Sequence, residues 1–167
     1  SDLDVILAEL AAYPVPEGTR RLSSRTTNWP SGRQSSDSTL RGYFPLETDV
    51  LAEELAARGT NVDGVVVCPA YIEPGRLTVD SVHWARTNEG MIPVSHSEFA
   101  KDASFGYRNS DLRDWVEEKS GGRISRGKVA RITLNDIRVG GPDRVLEILT
   151  GLRDRQPVVV DTAADTD

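Results

Sequence analysis

The chain has 167 residues, 38% of them hydrophobic and 28% charged, with 26 acidic against 20 basic side chains and a formal net charge of -6. That length suffices for one domain with its own core, and the composition is that of a globular chain rather than a disordered one. An acidic surface repels phosphate backbones, which argues against a nucleic-acid partner, and no apolar run approaches the ~18 residues that span a bilayer, so no membrane partner is expected.

The N-terminal Ser1-Asp2-Leu3-Asp4 lacks the basic and apolar regions of a signal peptide. A single cysteine, Cys68, leaves no internal disulfide and no cysteine-rich metal site. Together these predict a cytoplasmic protein. Leu3, Ile6, Leu7 and Leu10 follow helical spacing, so residues 2–12 read as a helix, ended by Pro14 and Pro16. Residues 14–42 are rich in Pro, Gly, Ser, Thr, Asn and Arg and show almost no apolar periodicity. A structureless stretch of that length inside a compact domain is unusual. Trp29 within it would mark a contact surface if exposed.

A second helix is predicted over 45–58, opened by Pro45 and stopped by Gly59. Leu51, Ala52, Leu55 and Ala56 form one stripe; Leu46 and Val50 fall on another side, which predicts contact from two directions. Residues 62–69 read as a strand buried on both faces, with Cys68 an inert core thiol. The segments 83–87 and 91–96 flank Asn88-Glu89-Gly90 and predict a small hairpin. Residues 111–119 form a helix with Leu112, Trp115 and Val116 inward and Gly121-Gly122 as its stop. A strand at 129–134, an amphipathic helix at 143–154 (Val145, Ile148, Leu149 and Leu152 on one arc) and a strand at 158–160 complete the chain. The tail 161–167 is polar and is expected to fray. The alternation predicts an α/β fold: a mainly parallel sheet with flanking helices and a small β-hairpin insertion. Ligands of such sheets sit beyond the carboxyl ends of the strands.

The segment Asp37-Ser38-Thr39-Leu40-Arg41-Gly42 gathers a carboxylate, two hydroxyls and a guanidinium on one turn ahead of a helix. Arg41 can clasp a carboxylate through two parallel hydrogen bonds. Asp37, Ser38 and Thr39 can bond the hydroxyls of a polyol, and a small hydroxy acid presents both groups. The same pattern also fits an Asx or Ser/Thr turn that caps the following helix. Arg76 follows the buried strand and His83 opens the hairpin. Both are candidates for substrate-proximal residues, against a solvated loop arginine and a hydrogen-bonded structural histidine. His83 and His96 lack metal-ligand spacing. Glu98 and Asp102 would share a face if helical, as a cation or proton-transfer pair or as a solvated surface.

DSTLRG (Asp37 to Gly42), followed by FPLETD (Phe44 to Asp49), resembles the characteristic loop of the four-carbon acid sugar kinase family. The resemblance continues through Cys68-Pro69-Ala70-Tyr71, Gly75-Arg76-Leu77-Thr78, Val82-His83-Trp84, Ile92-Pro93-Val94, Glu98-Phe99-Ala100-Lys101-Asp102, Phe105-Gly106-Tyr107, Leu112–Gly121 and Ile137-Arg138-Val139-Gly140-Gly141-Pro142, spanning about residues 36–161. It implies three segments: 1–35, an N-terminal helix with an irregular stretch; 36–161, a domain binding a sugar acid of the threonate or erythronate class; and 162–167, a polar tail. It implies that Asp37, Ser38, Thr39 and Arg41 contact the sugar acid. ATP and Mg²⁺ would be bound by a separate domain of the whole enzyme.

This sequence departs from the family pattern. The Asp-Asp-x-Thr-Gly motif that places an acid near the reacting hydroxyl is absent, so no catalytic residue is assigned. Ser24-Arg25-Thr26-Thr27-Asn28 does not replace the family's second arginine motif. Two alternatives follow: a non-catalytic remnant, or an interaction protein, since family members also carry the label of type III secretion effector. Loss of a partner domain would expose apolar surface and predicts self-association.

Overall fold

The valines at 158–160 form the middle of a parallel sheet. The computed structural model describes residues 37–167. In chain order its elements are α1 (Leu46–Ala57), β1 (Gly64–Val67), β2 (Arg76–Val79), β3 (Val82–Thr87), β4 (Gly90–Pro93), α2 (Leu112–Lys119), β5 (Ala130–Ile132), α3 (Leu134–Arg138), α4 (Gly141–Gly151) and β6 (Gln156–Val160). The parallel sheet runs β1-β6-β5, with Val66 opposite Val158 and Ile132 opposite Val160; β2-β3-β4 form a separate antiparallel sheet. The predicted α/β architecture is the observed one. The helix expected over 2–12, Trp29 and the 24–28 segment lie outside the described residues.

Alternation along the strands sends neighbouring side chains to opposite faces. Val66, Ala130, Ile132, Val158 and Val160 share a core with Ile137 of α3, with Val145, Ile148 and Leu149 of α4, and with Leu152 just beyond it. Val67 and Val159 belong to the second core, with Leu112, Trp115 and Val116 of α2 and with Leu40. Helices therefore cover both faces. Full burial of side chains such as Leu112, Val116, Val158 and Val159 stabilises the fold by about 1.5–3 kcal/mol each. α2 begins where Asp111 accepts the Arg113 amide at 3.0 Å. Gly121 and Gly122, with φ of 63° and 81°, end it.

Several local expectations change. β1 is half-buried rather than fully enclosed, because among the described residues it pairs only with β6. Cys68 follows β1 and is also half-buried, its Sγ 3.4 Å from Thr162 Oγ1. The hairpin gains a partner in β2, whose four residues, Arg76-Leu77-Thr78-Val79, carry too short a pattern to be read alone. Its second strand stops at Pro93, and residues Val94–His96 turn into a 3-10 helix. On α1, Ala52 is buried, but Leu46 and Val50 are 60% and 45% exposed, so among the described residues the second contact direction is not filled. Leu134 leaves the predicted strand because Thr133 and Asp136 form a reciprocal capping box that starts α3.

The end of the chain is tied down rather than frayed. Thr162 exchanges backbone hydrogen bonds with Thr78 of β2, both at 2.9 Å. Asp167 accepts from the amides of Ala163 and Ala164 and from Arg138. Glu98 and Asp102 do not act as a pair: Glu98 binds Lys101, while Asp102 accepts from the amides of Ser104 and Phe105.

Candidate functional site

The 37–42 loop closes on itself before it meets anything else. Asp37 Oδ1 accepts from the Thr39 amide at 2.8 Å and from the Thr39 hydroxyl, and Oδ2 accepts from Arg41 Nη2 at 2.6 Å. Arg41 Nε donates to Thr39 Oγ1 at 2.9 Å. Backbone bonds from Leu40 N to Asp37 O and from Asp37 N to Arg41 O complete the knot. Leu40 takes φ of 63°, which carries its side chain into the core at 4% exposure. Burial raises the Asp37 carboxyl pKa, but the bonds from Thr39 and Arg41 outweigh it, so the group sits below its ordinary value and stays ionised.

Three side chains from outside the loop pin it. His83 Nε2 lies 2.9 Å from the Ser38 carbonyl, and Nδ1 lies 3.0 Å from Thr78 Oγ1. A carbonyl can only accept, so Nε2 carries the proton and Nδ1 accepts from Thr78. His83 is fully buried. Burial, joined by the nearby Arg76 charge, depresses its pKa to about 4, so the ring is neutral at pH 7. Tyr107 donates its hydroxyl to the Thr39 carbonyl at 2.6 Å, and burial pushes the phenol above its ordinary value, keeping it a donor. Arg76 Nη1 donates to Ser38 Oγ at 3.1 Å.

The structure thus brings together all six residues singled out from sequence. Asp37, Ser38, Thr39 and Arg41 form the loop, Arg76 reaches it from the start of β2, and His83 supports it from β3. Their exposure differs. Thr39 is 2% exposed and its hydroxyl is spent inside the loop, whereas the Arg41 and Asp37 side chains are 37% and 43% exposed. Ser38 is half-buried. Phe99, part of the 98–102 segment, carries no site role in the sequence reading. The Arg41 and Arg76 guanidinium carbons lie 5.4 and 5.2 Å from its ring centroid, within cation–π range.

Asp161 was also missed, being grouped with the tail. It is 1% exposed and accepts from the amides of Asp80 (2.9 Å), Ser81 (2.8 Å) and Leu134 (3.3 Å). It therefore ties the β2–β3 turn and the start of α3 to the end of β6. Its place directly after the buried valines, at the carboxyl end of the central strand, was the available signal.

No group of three or more His, Cys, Asp or Glu side chains among the described residues could hold a metal ion, and Gly141 and Pro142 are the first residues of α4 rather than a phosphate loop. Among the described residues no helix is long and apolar enough to cross a membrane.

Residues 31–167 match the family described as sugar-binding N-terminal domain. Among solved structures the chain is similar to the crystal structure of Haemophilus influenzae protein HI1011, of family DUF1537, at 21% identity and a TM-score of 0.55. The alignment covers 78% of this chain and 28% of that one, so the chain spans less than a third of HI1011. At that identity the likeness shows the fold. A comparison with curated proteins gives no match.

Proposed function

The chain belongs to the sugar-binding N-terminal domain family, and from that premise we propose that its 37–42 loop grips a four-carbon sugar acid of the threonate or erythronate class as the acceptor of a kinase reaction. The observation that carries the reading is the pinned loop. Side chains from three separate segments (His83, Arg76 and Tyr107) fix Ser38 and Thr39, while the Asp37 and Arg41 side chains stay partly open to solvent. A preorganised turn of this kind binds a small polar ligand without the entropy of ordering it first.

In this reading Asp37 and Ser38 Oγ meet the ligand hydroxyls. Thr39 shapes the loop from within, His83 holds Ser38 in place, and a guanidinium beside the loop takes the carboxylate. We assign ATP and Mg²⁺, and with them phosphoryl transfer, to a separate domain of the whole protein.

The test is thermal unfolding of the chain with a panel of threonate and erythronate isomers, using wild type and Ser38→Ala. A ligand at ~100 times its dissociation constant stabilises the native state by about 2.7 kcal/mol. A shift with one isomer, reduced in the variant, supports the reading. A second reading is favoured by the bonds that Asp37, Thr39 and Arg41 make to one another: the loop is a structural knot of a non-catalytic family member. No shift with any isomer selects it.

A further inference from the structure

Arg41 and Arg76 lie against the same aromatic ring, yet they use their donors differently. Arg41 Nε donates to Thr39 and its Nη2 to Asp37. That side-on edge of the guanidinium, one of the two forks that can clasp a carboxylate with parallel bonds, is closed on its own loop. A ligand carboxylate brought to Arg41 would also lie beside the ionised Asp37. Among the described residues Arg76 donates one side-chain hydrogen bond, from Nη1 to Ser38 Oγ, and no carboxylate pairs with it. Its Nε and Nη2 edge makes no bond to a described residue and is an open fork beside the loop. Asp102 stands within electrostatic reach of Arg41 and Asp37, with its Oδ1 taken up by the Ser104 and Phe105 amides.

Arg76 is also held in place before any ligand arrives. Its backbone exchanges hydrogen bonds with Tyr71 at 2.8 and 2.9 Å, across a turn closed by Gly75 N to Ile72 O. Gly75 takes φ of 78°, and an added Cβ would fall 2.5 Å from Arg86 Cβ. The Phe99 ring lies beneath the guanidinium. These contacts remove much of the side-chain freedom an arginine loses on binding.

We infer that Arg76, rather than Arg41, takes the carboxylate of the ligand, and that Arg41 is an internal brace of the loop. The inference rests on the sugar-acid reading above. It makes Arg76 the residue that distinguishes an acid from a neutral polyol, and it makes Arg41 a stability residue.

The experiment is calorimetric titration of wild type, Arg76→Gln and Arg41→Gln with the threonate and erythronate isomers, beside ligand-free unfolding of all three proteins. Arg76→Gln should bind the acid at least about ten-fold more weakly while lowering the unfolding midpoint by no more than about 4 °C, for the lost Ser38 and Phe99 contacts. Arg41→Gln should unfold well below both. Wild-type affinity in Arg76→Gln would overturn the assignment and leave the sugar-acid reading standing. Arg76→Gln unfolding as early as Arg41→Gln would also overturn it, marking Arg76 as structural. Failure of wild type to bind any isomer would remove the sugar-acid reading, and the role of Arg76 with it.

Discussion

His83 and Ser38, 45 residues apart in sequence, are joined by a 2.9 Å hydrogen bond from the buried imidazole to the loop carbonyl. The bond makes the loop's shape a property of the antiparallel sheet. Thr78, on the paired strand β2, holds the other ring nitrogen, so the ring is oriented from both sides.

Replacing His83 by Phe keeps the bulk of the side chain but leaves the Ser38 carbonyl and the Thr78 hydroxyl without their partner. Each unmet buried group costs about 1–3 kcal/mol. Urea unfolding at pH 7.5 should show a loss of about 2–4 kcal/mol, and sugar-acid affinity should fall with it. A variant as stable as wild type would mean that water replaces the ring without cost.

The same residue sets a pH dependence. Burial lowers the His83 pKa to about 4 in the folded state, from an ordinary value of 6.5. Between these values the unfolded state binds more protons than the folded one, so stability falls as pH drops from 6.5 toward 4 and is unaffected by this group above about 7.5. The loss should reach about 2 kcal/mol by pH 5. It should be missing from His83→Phe over the same interval. Equal slopes for the two proteins would assign the acid sensitivity elsewhere.

Asp161→Asn should be among the most damaging single changes. The carboxylate accepts from three backbone amides at 1% exposure, and an amide NH₂ in its place would face an N–H donor. Loss of charge-assisted bonds and the donor clash together predict about 2–4 kcal/mol. Equilibrium unfolding gives the size. Amide exchange at Ser81 and Leu134 should accelerate before that of α2. A loss below ~0.5 kcal/mol, within the range of ordinary surface changes, would contradict the clamp.

Gly75→Ala meets two obstacles, the left-handed φ of 78° and the overlap of its Cβ with Arg86. A cost of about 2 kcal/mol is expected. Gly127→Ala is the control, since nothing lies within 4 Å of an added Cβ there and its φ is unremarkable. Thermal unfolding of the two variants should separate them clearly; equal midpoints would show that the Tyr71–Arg76 turn adapts freely.

Thr133→Ala removes one half of the capping box at the start of α3, where Thr133 Oγ1 accepts from the Asp136 amide at 3.2 Å and donates to its carboxylate at 2.6 Å. Loss of such a cap costs about 1 kcal/mol. Thr133→Ser, which keeps the hydroxyl, should recover most of it in the same denaturation assay.

What the sequence determined by itself is local. α2 was legible because Asp111, the Leu112, Trp115 and Val116 stripe, and Gly121-Gly122 give a cap, a face and a stop within a dozen residues. The parallel sheet was legible because valine runs alternate with amphipathic helices, and the 37–42 loop because its polar side chains are contiguous. Packing in three dimensions sets which partners those side chains meet among the described residues. Thr39 and Arg41 are expected from the resemblance to contact a ligand, and the fold adds that both bond to Asp37. Arg76 reads from sequence as either a substrate-proximal residue or a solvated loop arginine, and the fold takes it to Ser38, 38 residues away. Asp161 looks like part of a tail, but binds amides 80 and 81 residues distant. Hydrogen bonds are satisfied by whatever lies within about 3 Å in space, and sequence spacing fixes that only within one turn of helix or one strand register.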